Sequence, residues 1–372
     1  MRSSFRLGSL LGIEIRIHIS WLLIFAFLTW SLAEGYFPSL LPNVSTWEYW
    51  ALGAISSIAL FASVLAHEIG HSIVARRNRI PVKDITLFIF GGASNITKEA
   101  ENAGAEFRMA VTGPLISFIL GLLFFGIYFV AGGAGSKTAF NAVIVYLGQI
   151  NLVLGAFNLL PGFPLDGGRV FRSIVWKINH DEMKAIRIAA TTGQVIAYVF
   201  IFGGIALAFV VGISGLWLAF IGWFLASAAS ASLQQSVLLE ALKGVKVKEV
   251  ASPNIKTAGA NLTIEQALAI MLESNQRALP VLEGARFQGL VSMTDIKRVS
   301  RDQWSSENID RIMTPVPQVK TISPDDDLSK AIELLQSGGY NQLPVLSDGH
   351  LRGMFSRADL MNYIHLKQEI KR

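Results

Sequence analysis

Long apolar runs are the feature of this sequence that most restricts how it can fold. Six segments are long and apolar enough to cross the hydrocarbon core of a bilayer as helices, which takes roughly 20 residues each. They are residues 18–37, 49–75, 109–130, 139–160, 188–211 and 216–238. A cleaved secretory signal is the alternative interpretation of the first run. We disfavour it because Glu14 and Arg16 precede a long run and five more runs follow.

Charge is scarce and unevenly placed. Only 16% of the residues are charged, about two thirds of the fraction usual in soluble proteins, and the net charge of +5 gives no reason to expect nucleic-acid binding. Basic residues gather in the connections after the second, fourth and sixth runs: Arg76, Arg77, Arg79, Arg169, Arg172, Lys177, Lys184, Arg187, Lys243, Lys246 and Lys248. The connections on the opposite side are residues 38–48, 131–138 and 212–215, and their only basic residue is Lys137. The positive-inside rule therefore predicts that both termini and the polar tail are cytoplasmic.

The polar tail contains an internal repeat. Residues 262–298 align with residues 326–362 at a constant offset of 64, so that Gly289 matches Gly353 and Asp295 matches Asp359. Each copy is predicted as helix, strand, turn, strand and helix. In the first copy, the first helix is predicted at residues 264–274 and the two strands at 279–282 and 289–292. In the second copy, the helix is predicted at residues 328–337 and the strands at 343–346 and 353–356. Because one copy rarely buries its own apolar face, we expect the two to pack as a pair.

Three ionisable residues interrupt the second apolar run: His67, Glu68 and His71. Histidines four residues apart share one face of a helix and can converge on one metal ion, while the glutamate can act on a water molecule as a general base. Each such group costs about 2.5–3.5 kcal/mol in the middle of a membrane helix, and a bound divalent cation would offset that cost. The alternative is a polar cluster that lines a pore or forms a buried network. Helix rise places His67 about 13–14 Å inside the cytoplasmic boundary at Arg76.

A catalytic zinc site needs a third protein ligand, and the chain has no cysteine. Asp166 is the better candidate, because it follows the fourth run in a segment where irregular backbone can line a cavity. Two prolines break the helix there and two glycines permit a tight return: Pro161, Pro164, Gly167 and Gly168. His18, at the mouth of the first run, is the alternative ligand.

A short segment between the second and third runs, residues 81–92, is rich in β-branched and aromatic residues and ends in paired glycines. It is too short to span as a helix, so we predict a strand with a turn near the cytoplasmic face, paired with residues 12–19. An exposed strand edge could hold an unwound substrate by strand addition, and the alternative is a hairpin that only packs. In the third run, Gly113-Pro114 indicates a structural kink.

Two motifs resemble those of a known family. His67-Glu68-x-x-His71 and Asn158-x-x-Pro161-x-x-Pro164-Leu165-Asp166-Gly167-Gly168 resemble the metal motifs of the site-2 protease family of intramembrane metalloproteases. The repeated Gly-x-x-Ser-x-x-Asp motif resembles a tandem CBS (Bateman) module over residues 245–368. Together they resemble the prokaryotic, CBS-bearing branch of that family. This resemblance implies an α-helical polytopic membrane domain of six transmembrane helices with a small β-element near the cytoplasmic face, followed by a C-terminal α/β tandem CBS domain.

The resemblance also implies roles for individual residues. One zinc ion would be bound by His67, His71 and Asp166, while Glu68 activates water and Asn158 orients or stabilises the reacting carbonyl. An adenine nucleotide such as ATP would bind at the CBS motifs through Ser292, Asp295, Ser356 and Asp359. A CBS module that serves only as a structural dimerisation unit is the alternative for the tail.

We therefore expect a protease domain over residues 1–240 and CBS repeats over residues 241–310 and 311–372. The expected function is zinc-dependent hydrolysis of a peptide bond in or near the transmembrane segment of a membrane protein, modulated by nucleotide. The family resemblance implies a prokaryotic inner membrane, a lipid bilayer around the spans and a homodimer or higher oligomer formed through the CBS repeats. The alternative is a CBS-regulated ion transporter or channel, although the spans show no inverted repeat.

Overall fold

The computed structural model describes residues 4–96, 100–135, 137–242, 244–337 and 340–370. The chain forms two compact units, Met1–Ser236 and Val237–Arg372. The elements that begin in the first unit are β1 Ser4–Leu10, β2 Ile13–His18, α1 Ser20–Ser31, α2 Phe37–Leu40, α3 Thr46–Arg77, β3 Val82–Phe88, β4 Gly91–Ile96, α4 Ala103–Val130, α5 Ala139–Asn158, α6 Asp166–Asn179, α7 Glu182–Val211 and α8 Ile213–Leu242. Within the described residues, six helical segments are long and apolar enough to cross a membrane, as predicted.

The boundaries of several of these helices differ from the predicted ones. The first span joins α1 and α2 through a π-helical turn, Leu32–Tyr36. The third begins at Ala103 rather than residue 109, so that it includes the buried Glu106. The fourth ends at Asn158, three residues before Pro161, because a proline disfavours helical backbone before it.

Helix α6 is the element that sequence patterning missed. The prediction of a tight return at Gly167 and Gly168 is wrong, because both residues lie in the first turn of this helix. A side chain at Gly167 would collide with the backbone of Leu159 and Leu160, and one at Gly168 would collide with the backbone of Gly162. The glycines are therefore needed for close backbone approach, and the irregular segment is residues 159–165.

A four-stranded sheet lies beside the helices in the order β1-β2-β3-β4. Strands β2 and β3 are parallel, with Ile15 opposite Ile85, which confirms the predicted pairing of residues 12–19 with the segment after the second span. The segment also contains the predicted turn, after Phe88, but the paired glycines do not end it: they begin a second strand, β4. Strand β4 is antiparallel to β3 and forms one edge of the sheet.

The second unit confirms the repeat. Its further elements are β5 Ala258–Gly259, α9 Ile264–Glu273, β6 Ala278–Glu283, β7 Arg286–Ser292, α10 Met293–Ile296, β8 Thr314–Pro315, α11 Leu328–Ser337, β9 Gln342–Ser347, β10 His350–Ser356 and α12 Arg357–Ile370. The two hairpins share one sheet, in the order β5-β6-β7-β10-β9 with β8 beside β7. Gly289 and Gly353 have equivalent surroundings, because a side chain on either would lie 2.5 Å from a backbone oxygen.

Candidate active site

Two histidines and one aspartate converge inside the first unit. His67 and His71 lie on successive turns of α3 and are buried, and Asp166 is the first residue of α6. The Asp166 Oδ2 atom lies 3.0 Å from His67 Nε2 and 3.1 Å from His71 Nε2. The two Nε2 atoms are 3.2 Å apart. Residues almost a hundred positions apart in sequence thus present three metal-binding atoms to one point.

The other ring nitrogens are held by α4. His71 Nδ1 lies 2.7 Å from the carbonyl oxygen of Met109, which can only accept, so Nδ1 carries the hydrogen and Nε2 has a free lone pair. His67 Nδ1 lies 2.9 Å from the hydroxyl of the buried Ser117, which can accept in the same way. Such partners orient imidazole ligands and raise their basicity in metal sites.

The donor set fits zinc. Tetrahedral zinc with ligand distances of 2.0–2.2 Å has ligand atoms about 3.3–3.6 Å apart, a few tenths of an ångström more than the separations of 3.0, 3.1 and 3.2 Å observed here. Burial alone would raise the pKa of the Asp166 carboxyl, but without a metal the protonated His71 and His67 imidazoles lower it below its ordinary value. Two imidazoles and one carboxylate leave a fourth position open, as in catalytic zinc sites.

Gly113 on α4 makes room for this cluster. A side chain built on Gly113 would collide with the Nε2 atoms of both His67 and His71. The sequence prediction gave Gly113-Pro114 a structural kink, and the structure shows a steric role beside the metal ligands. Only the glycine-proline pair pointed to this position, and it carries no information about which residues face it.

Glu68 faces the edge strand of the sheet. The Ser94 hydroxyl, on β4, donates a hydrogen bond of 2.6 Å to Glu68 Oε2. A side chain on Gly92 would lie 2.5 Å from Glu68 Cγ, so this glycine lets β4 pass close to the carboxylate. Sequence reasoning did not identify Ser94, since its only signal was its place in a strand-forming segment.

The two remaining candidates in this unit lie outside the ligand cluster. Asn158 is the last residue of α5 and is half-buried, and within the described part of the chain its side chain makes no hydrogen bond. Its assignment to the reacting carbonyl stays a prediction. His18 Nδ1 accepts from the backbone nitrogen of Ser20 at the start of α1, and His18 does not belong to the group formed with Asp166.

The CBS candidates form equivalent helix caps. The backbone nitrogen and hydroxyl of Ser292 bond to Asp295 Oδ2 at 2.9 and 2.6 Å. Ser356 bonds in the same way to Asp359 Oδ2 at 2.8 and 2.5 Å. The copies differ at the second carboxylate oxygen, because the Ser252 hydroxyl donates to Asp359 Oδ1 at 2.6 Å, whereas Asp295 Oδ1 has Arg298 at 3.7 Å.

Known proteins share both parts of this architecture. The model of peptidase family M50 matches residues 55–201, and the CBS domain model matches residues 247–302 and 309–366. A protein of Synechocystis sp., provisionally named a zinc metalloprotease, is 33% identical over 97% of this chain and 95% of its own length. A protein of Mycobacterium tuberculosis, provisionally named zinc metalloprotease Rip3, is 34% identical over 94% of this chain and 89% of its own. The solved site-2 protease from Methanocaldococcus jannaschii is 29% identical, with a TM-score of 0.43, over 62% of this chain and 95% of that one.

Proposed function

Because the chain belongs to peptidase family M50, we propose that it is an intramembrane zinc endopeptidase that hydrolyses a peptide bond in or near the transmembrane segment of other membrane proteins. The observation that carries the proposal is the convergence of His67, His71 and Asp166 beside Glu68, within helices apolar enough to cross a membrane. The Synechocystis and Mycobacterium relatives, which match over nearly the whole chain, are named zinc metalloproteases, so they give the transporter alternative no support.

The chemistry divides between the metal and the side chains. His67, His71 and Asp166 would hold a zinc ion, which would supply a lowered pKa for a bound water and polarisation of the substrate carbonyl. Glu68 takes one proton from the attacking water as the water oxygen bonds to the carbonyl carbon. Glu68 then delivers that proton to the leaving nitrogen as the peptide bond breaks. The Ser94 hydroxyl holds the Glu68 carboxylate in place for both transfers. The Asn158 amide would donate to the developing oxyanion.

We also propose that the edge of β4 receives the substrate. A peptide bond within a helix must be unwound before water can attack it, and an unwound segment needs partners for its backbone groups. An edge strand offers such partners by strand addition. Because β4 carries Gly92 and Ser94 against Glu68, a strand added there would lie near the general base.

Removing the metal should abolish cleavage. We expect purified protein, co-reconstituted with a panel of single-span proteins tagged at both ends, to cleave at least one of them. A zinc chelator should stop that cleavage, and added Zn²⁺ should restore it, with metal content measured in parallel. Undiminished cleavage by protein shown to be metal-free, or the absence of cleavage from the whole panel by zinc-loaded protein, would contradict the proposal.

For the second unit we propose that an adenine nucleotide such as ATP binds at the CBS motifs and modulates cleavage. A carboxylate that accepts from two sugar hydroxyls is sound recognition chemistry for a ribose, as in dinucleotide sites. Asp295 is the better candidate for ribose binding, because Oδ1 of Asp359 already accepts a hydrogen bond from the Ser252 hydroxyl. Ser292 and Ser356, at the N-termini of helices, would lie toward the phosphates.

An aspartate-to-asparagine change separates nucleotide binding from helix capping. Asparagine keeps one oxygen for the serine hydrogen bonds but removes the carboxylate charge. We expect the Asp295→Asn/Asp359→Asn double variant to bind ATP at least about tenfold more weakly in calorimetric titration, because hydrogen bonds to charged groups contribute about 1.5–3 kcal/mol. Asp348→Asn, in the turn between β9 and β10, is the control and should bind normally. Equal ATP binding by the double variant would leave the module a structural dimerisation unit.

The arrangement in the cell is part of the same proposal. The basic connections favour an integral membrane protein with its N-terminus and CBS repeats in the cytoplasm of a prokaryotic cell, bounded by the inner membrane. We propose a protease domain at residues 1–240, CBS repeats at 241–310 and 311–372, and assembly into homodimers or higher oligomers through those repeats.

A further inference from the structure

A buried ion pair joins the helix that begins at Asp166 to the helix behind the two histidines. Glu106, on α4, is fully buried, and Arg172, on α6, is 6% exposed. Arg172 Nη2 lies 2.7 Å from Glu106 Oε2, and Arg172 Nε donates to the same oxygen at 2.8 Å. Removing two charges from water is unfavourable, and an apolar pair of similar volume is often as stable. The pair therefore calls for an explanation beyond the packing of α6.

The position of Glu106 on α4 supplies one. Met109, Gly113 and Ser117 follow it at intervals of three, four and four residues, which places all four on one face of the helix. Met109 holds His71, Ser117 holds His67, and Gly113 admits the metal-binding nitrogens of both. This face, which we call the α4 template, thus contacts both histidines directly. Glu106 extends the same face to α6, whose first residue is Asp166.

The covalent connection from α5 does not by itself set the position of Asp166. Residues 159–165 are not helical, so the direction of α5 does not set the start of α6. Arg172 is six residues after Asp166, about 9 Å along the helix axis. A two-point hydrogen bond from its planar guanidinium restrains both distance and orientation, which a single charge on a flexible chain does not.

We propose that Glu106 and Arg172 are positioning residues for the metal centre, which hold α6 against the α4 template so that Asp166 Oδ2 meets the two histidine nitrogens. The inference rests on the proposed zinc site. In this proposal the α4 template positions all three ligands. It contacts the two histidines directly and positions Asp166 through the ion pair.

The test compares zinc affinity with fold stability in full-length protein. Arg172→Met should lower both, because it leaves the buried Glu106 carboxylate with no hydrogen-bonded cation, and with only Arg169 Nε near its other oxygen, at 3.7 Å from Oε1. The Glu106→Gln/Arg172→Met double variant removes that unpaired charge, so the thermal unfolding of its zinc-free form should return to the wild-type range. Its zinc affinity, measured by chelator competition, should stay at least about tenfold below wild type, as for other residues that orient metal ligands. Lys177→Met, an exposed change on the same helix, should match wild type in both measurements.

Arg172→Lys provides a second variant in case the double variant does not recover its stability. It keeps the buried charge paired but loses the two-point geometry, so we expect intact folding and a zinc affinity between those of wild type and the double variant. Wild-type zinc affinity in Arg172→Lys, or in a double variant of restored stability, would overturn the positioning role. Failure of the wild-type protein to bind zinc would contradict the proposed function instead.

Discussion

Replacing Glu68 by glutamine should lower cleavage by about 10²–10⁴-fold, the usual contribution of a general acid–base. Glutamine has almost the same volume, and its amide oxygen can still accept the hydrogen bond that Ser94 donates to Glu68. It cannot take a proton from water at neutral pH. The measurement is the initial rate of cleavage of a tagged single-span substrate, with zinc content determined on the same preparation.

Because Glu68 is not one of the three ligands, we expect the glutamine variant to keep its zinc. Glu101→Gln, which makes the same chemical change on an exposed residue before α4, should cleave at the wild-type rate. Equal rates for the Glu68 variant and wild type would remove Glu68 from the mechanism. A slow variant that had also lost zinc would show that Glu68 acts through the metal site rather than as a base.

Adding one methyl group at Gly113 should disrupt the zinc site. Within a helix, glycine to alanine ordinarily favours folding by roughly 0.5–1 kcal/mol. At Gly113, however, the new carbon would occupy the space of the two Nε2 atoms, and the backbone of α4 cannot move away without displacing Met109 and Ser117. We expect zinc affinity and cleavage to fall by at least about 100-fold, the upper range for changes around metal ligands.

Gly126→Ala is the matched control for Gly113→Ala. Gly126 lies on the same helix, and a side chain there meets nothing within 4 Å. It should leave zinc binding and cleavage unchanged and raise the free energy of unfolding slightly, as helix propensity predicts. Wild-type zinc binding by Gly113→Ala would mean that α4 does not lie against the histidines as described.

Much of the fold and part of the site followed from local patterns. The number of spans, the strand character of residues 12–19 and of β3, and the two CBS copies each depend on composition or periodicity over a few to a few dozen residues. His67, Glu68 and His71 could be identified because their spacing matches one helix face and because ionisable groups are rare in an apolar run.

The parts that could not be predicted are contacts between distant segments. Helix α6 was missed because its paired glycines are typical of a turn, whereas in the structure they allow close approach to residues 159–162. The same holds for three other contacts, none of which follows a local sequence pattern: Gly113 with the two histidines, Ser94 with Glu68, and Glu106 with Arg172.

Hydropathy and helix period act locally along the chain, so they were sufficient to predict six helices apolar enough to cross a membrane, the CBS repeat and two histidines on one helix face. Asp166 was predicted as their partner, but only the packed helices show that its Oδ2 atom reaches both rings and that the Nε2 atom of each ring faces it. Both depend on how α3, α4 and α6 pack against one another, and packing brings together residues that share no local pattern.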